Sequence, residues 1–134
     1  MKKLLIVMSC LLLIACTEDQ DKFEATVLVN AQKDQDLKDY NIDPERMTEC
    51  IMDKTGKTAP GLFPFSPKRM TYYKAMSQLL SIKDSKDPAK TLAEAQAAFG
   101  TKKEAMQAFI KHSSNVMDCV SALTFQKTEE GDDS

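Results

Sequence analysis

The chain has 134 residues, a formal charge of −2 and 28% charged residues, a length that suits one domain. Mild acidity gives no electrostatic reason to bind nucleic acid, and one histidine without any Cys-x-x-Cys pair argues against a metal site. Four glycines form no phosphate-binding loop, and no serine or cysteine sits in a nucleophile signature.

The chain starts with Lys2 and Lys3, followed by an apolar run from Leu4 to Ala15. That run is about 12 residues long, too short to cross a bilayer as a helix and typical of a secretory signal. It ends in Leu13-Ile14-Ala15-Cys16, which resembles the lipobox of bacterial lipoproteins. The resemblance covers only this leader. It implies that residues 1–15 are a signal peptide removed before Cys16, and that Cys16 carries lipid on its sulfur and its new amine. Several acyl chains, at about 0.8 kcal/mol per buried methylene, give lasting membrane attachment. In such lipoproteins an Asp directly after the lipidated cysteine retains the protein in the inner membrane. Thr17 stands there, so the resemblance favours the outer membrane, facing the periplasm.

Loss of Lys2 and Lys3 with the leader moves the charge from −2 to −4. It also removes Cys10, and lipid occupies Cys16, which leaves Cys50 and Cys119. In an oxidising compartment two leftover thiols pair. A bridge between them closes a loop of about 70 residues, worth roughly 4 kcal/mol in the chain-entropy model.

Residues 16–22 are polar and acidic and read as a lipidated tether. A helical domain is expected over residues 23–125. From Phe23 to Lys38 the pattern is mixed. Phe23, Val27, Asn30 and Ala31 share a helical face, whereas Val27-Leu28-Val29 fits a strand as well. A helix is expected there, as part of the domain or as a stalk. Asp43-Pro44-Glu45 is a clear start signal: a cap, a first-turn proline and a first-turn acid. Met47, Cys50, Ile51 and Lys54 follow at helical spacing, and Gly56 is expected to stop that helix.

Lys57 to Ser66 reads as a loop with Pro60, Gly61 and Pro64, unusually apolar through Leu62, Phe63 and Phe65. One reading folds it back as a lid on the core. The other exposes it as a partner-binding knob, with Leu62, Phe63, Phe65, Arg69 and Tyr72 as the candidate contact residues. Ser66-Pro67 predicts a helix from Pro67 to about Lys83, with Met70, Tyr73, Met76 and Leu80 as its stripe. Its first turns mix Lys68, Arg69 and Lys74 with Tyr72 and Tyr73. They either face anionic headgroups or an acidic partner, or pack their rings and leave the cations solvated.

Asp87-Pro88 repeats the start signal for an alanine-rich helix that ends at Gly100. Thr101 to Glu104 resembles a capping box. The longest helix follows, from Lys102 to about Thr124, with Ala105, Phe109, His112, Val116, Cys119 and Leu123 in line. Met106, Ile110, Ser113, Met117 and Val120 lie beside them. So wide an apolar face predicts the central helix of a bundle, with His112 packed inside it. Residues 126–134 read as a disordered acidic tail.

The expected class is all-α: a small bundle of four or five helices with one disulfide. No cofactor or metal is expected, and no catalytic constellation is visible. The function that fits is an envelope lipoprotein whose periplasm-facing helical domain binds another protein. Helical lipoproteins of similar size include the pilotins of secretion systems, a likeness of architecture alone. The alternative is a carrier of an apolar small molecule in a methionine-rich pocket. Met47, Met52, Met70, Met76, Met106 and Met117 are either core or adaptable groove.

Overall fold

A computed structural model describes residues 17–131, with side chains up to Gln126. The lipobox and Cys16 lie outside the described residues. Among those described, the fold is all-α, with six helices and no strand.

Helix α1 spans Glu18–Lys33. Glu18, Asp19 and Asp21 place negative charge at its positive end, which favours this start. The expected tether is thus largely its first turn. Phe23, Val27 and Ala31 recur every four residues and are all buried, so the segment is a wall of the core rather than a stalk or a strand. Asp34 ends α1 in an extended conformation and caps the short α2, Gln35–Asp39. Its carboxylate accepts from the Asp36 and Leu37 amides at 2.9 and 3.2 Å.

Helix α3 spans Pro44–Thr58. Asp43 caps it by accepting from the Arg46 amide at 2.9 Å, and that bond holds the carboxyl below its usual pKa. The helix runs straight through Gly56, contrary to expectation. A mid-helix glycine costs only about 1 kcal/mol, and continuation past it buries Ala59, whose amide donates to the Thr55 carbonyl at 2.7 Å. The stop comes at Ala59, which Pro60 forces into an extended conformation.

Helix α4 spans Pro67–Leu80 and is shorter than expected. Ile82–Asp84 tightens into a 3-10 turn. Ser66 precedes the proline but makes no capping bond; its hydroxyl is packed against Gly61 instead. Helix α5 spans Pro88–Phe99, with the Asp87 carboxylate accepting from the Lys90 amide at 3.0 Å. Gly100 ends it at φ +100°, a backbone region that glycine alone enters without strain.

Helix α6 spans Lys102–Gly131. Thr101 accepts from the Glu104 amide at 3.1 Å and donates to its carboxylate at 2.9 Å. The helix continues past Thr124, so residues 126–131 are helical where a disordered tail was expected. Nor is α6 central. Ala105, His112, Asn115 and Cys119 face inward, while Met106, Ile110 and Met117 are more than half exposed. Its apolar residues occupy two faces, and the bundle covers only one.

Contact pairs fix the packing directions. Phe23 stacks on Tyr73 with ring centroids 5.3 Å apart, and the Asn30 amide donates to the Leu80 carbonyl at 3.4 Å. The same offset at both points makes α1 and α4 parallel. Tyr72 meets Phe99 edge-on at 5.8 Å, and the Gln78 amide reaches Glu94 at 3.5 Å, so α5 is antiparallel to α4. Arg46 donates to Gln126 at 3.0 Å, and Lys54 pairs with Asp118 at 3.6 Å. Helices α3 and α6 are therefore antiparallel. Between these two contacts lies a disulfide from Cys50 to Cys119, with Cα atoms 5.9 Å apart.

The bridge was legible from chain chemistry alone, and its removal has a defined cost. Cys50→Ala with Cys119→Ala should lower stability by roughly 4 kcal/mol, because the unfolded chain regains the entropy of a 69-residue separation. Urea unfolding with and without reductant checks this: reduction should weaken the native chain and leave the double variant unchanged.

Candidate functional site

Two surfaces stand out. The first is the turn between α3 and α4. Leu62 is 92% exposed, Phe63 71% and Phe65 58%. The lid reading is thus overturned. The reason lies in the backbone. Arg69 donates to the Ala59 and Gly61 carbonyls at 3.2 and 3.3 Å, fixing the start of the turn. Gly61 sits at φ +107°, and the Ser66 amide donates to the Phe63 carbonyl at 3.1 Å around Pro64. This is a proline-centred turn held at both ends. Its rings point away from the core because the core end is already filled by Ala59 and Met70.

Of the five residues expected to act together, the structure joins only three at the surface. Arg69 is spent on holding the turn. Tyr72 is packed between Tyr73 and Phe99, and burial pushes its hydroxyl up to about 12.

The second surface is a groove of about 720 Å³ that no single sequence stretch announced. Its floor is Leu79 and Leu80 of α4, Ile82 of the 3-10 turn, Leu92 of α5, and Ala105, Met106 and Phe109 of α6. Asn30, Lys33 and Asp34, at the end of α1, form part of the rim. Lys33 and Asp84 pair across it at 3.3 Å. The Leu80 carbonyl, left open at the helix end, accepts from the Asn30 amide. The groove exists because α4 ends three residues early and α6 turns only one face inward. Both departures were invisible in the local pattern. Of the six methionines, Met106 alone lines it; Met47, Met70 and Met76 are core. Among the described residues, no group of three His, Cys, Asp or Glu is placed to hold a metal ion.

His112 is packed, as expected from its place on α6. It is 8% exposed, lies edge-on to Phe23 at 6.0 Å, and adjoins a cavity of about 90 Å³. Its Nδ1 finds no hydrogen-bond partner in the protein. Burial lowers its pKa from 6.5 to about 4, since the interior offers the cation nothing.

Two outcomes are expected. Below pH 6.5 the unfolded chain takes up a proton that folded His112 refuses, so stability is full above that pH and falls as pH drops toward 4. The loss across this window should be about 3 kcal/mol, and His112→Gln should flatten urea-unfolding midpoints measured along it. Separately, Phe63→Ala with Phe65→Ala should leave the melting temperature nearly unchanged, since exposed side chains away from packing contribute within about 0.5 kcal/mol each.

Comparison of the chain with protein-family models, curated proteins and solved structures finds no match.

Proposed function

We propose that this chain is a non-enzymatic, lipid-anchored protein of the bacterial envelope, held through Cys16 at the outer membrane, whose domain binds an apolar segment of another protein. The groove carries the binding part of this reading. It is apolar along its floor, charged at its rim and open to solvent on one side. An amphipathic helix fits such a shape, laying its apolar face on the floor and its polar face against the rim. Lys83 and Lys102, at the edge, have no carboxylate within ion-pair distance among the described residues, so an acidic flank on the guest has partners waiting. The lipobox resemblance supports the anchor. Helix α1 begins at Glu18, two residues beyond Cys16, so an anchor there is tied almost directly to the domain.

A second reading is a carrier of an apolar small molecule, favoured by the groove volume, which lies within the range of ligand pockets at about 300–1,000 Å³. One experiment separates the two. A photo-crosslinking residue at Phe109 in the native envelope should give a discrete protein adduct, and Leu92→Asp should abolish it without loss of fold. Identical adducts from a control position on α3, such as Glu49, would sink the protein reading. A lipid mass carried by the purified domain, lost in Leu92→Asp, would establish the carrier instead.

A further inference from the structure

The apolar turn and the start of α1 lie at the same end of the molecule. Helices α1 and α4 run parallel at a constant offset, set by Phe23 on Tyr73 and by Asn30 on Leu80. Carried to the start of both helices, that offset sets Thr17 level with Pro67. Cys16 is one peptide link from Thr17, about 3.8 Å between Cα atoms. The turn that ends at Ser66 is one link from Pro67. Packed parallel helices stand about 8–10 Å apart. Leu62, Phe63 and Phe65 therefore project from the end of the bundle that the lipid on Cys16 would hold against the bilayer.

We propose that this turn is a second membrane contact, inserting Leu62, Phe63 and Phe65 into the outer part of the lipid layer beside the anchor. The inference rests on the lipid-anchor reading of Cys16. Three features fit a lipid surface better than a protein. The stretch from Ala59 to Ser66 carries no charge, so nothing ionic must be desolvated. The turn is already fixed by Arg69 and by the Ser66–Phe63 bond, so insertion orders little that was loose. Exposed Lys68 follows it, placed for anionic headgroups, while exposed Lys57 on the other side pairs with Asp53 at 2.6 Å. Glu18, Asp19 and Asp21 at the start of α1 oppose deep burial and hold that end at the water interface. An anchored chain meets the bilayer at high effective concentration, so even a shallow contact is populated. The result is a fixed stance: two points of attachment in place of a swivel.

The chain contains no tryptophan, which makes the test direct. Full-length lipidated protein carrying Phe63→Trp is purified from envelope membranes and reconstituted into phospholipid vesicles. A second version carries Tyr40→Trp, exposed beyond the opposite end of α1. With brominated acyl chains in the vesicles, the tryptophan replacing Phe63 should shift to the blue and lose roughly half its emission, as for a side chain buried several ångströms into the interface. The tryptophan replacing Tyr40 should keep its aqueous emission. Protein that floats with vesicles while the Phe63 probe stays unquenched overturns the second contact and leaves the anchor standing. Equal quenching of both probes also overturns it, because the domain then lies flat. Protein that fails to float overturns the anchor reading together with this one.

Discussion

The stack of Phe23 on Tyr73 sets the register on which the molecule depends. Both rings are almost fully buried, and the pair is flanked by His112 on one side and Tyr72 on the other. Tyr72 in turn meets Phe99. One line of rings thus ties α5, α4, α1 and α6 together. Burying a ring of this size contributes roughly 1.5–3 kcal/mol, and aromatic pairs add about 0.5–1.5 kcal/mol more. The contact also fixes direction. Two parallel helices have both their starts at one end and both their finishes at the other. The apolar turn and the groove are consequences of that arrangement, one at each end.

The cost of the arrangement is visible at His112. A cation has no place among Phe23, Val27 and Met47, so the ring stays neutral with one nitrogen unpaired. A buried unsatisfied polar group costs roughly 1–3 kcal/mol. The surrounding packing and the Cys50–Cys119 bridge offset it.

Much of this was legible in the chain, and the failures share a cause. Asp43-Pro44 and Asp87-Pro88 start helices as local chemistry dictates, because a carboxylate cap and a prefixed φ need no tertiary partner. Gly100 stops one for the same reason. Cys50 and Cys119 could be paired by elimination. Gly56 misled because its cost is small against the burial of Ala59 beyond it, a tertiary quantity. Ser66-Pro67 starts a helix at Pro67 as well, although the Ser66 hydroxyl, packed against Gly61, makes no capping bond. The width of the apolar face on α6 was read correctly as apolar and wrongly as buried. Periodicity reports which residues share a face; it does not report whether another helix covers it. The groove is that uncovered part, completed by α1, by the end of α4 with its 3-10 turn, and by α5, and no local pattern could show it. The lid reading of Phe63 and Phe65 failed likewise: ring content suggested burial, while the anchoring of Arg69 decided direction.

The disulfide has a consequence in time as well as in space. It joins the third helix to the last, so nearly every element must be synthesised before it can close. If the leader directs the chain out of the cell, the bridge is absent where the chain is made, since thiols there are kept reduced. The unbridged precursor is then weaker by the loop-closure entropy, which favours the loose state that threading through a membrane requires. Oxidation on the far side removes that freedom. A single covalent bond would in this way keep the domain pliable during transit and firm on arrival.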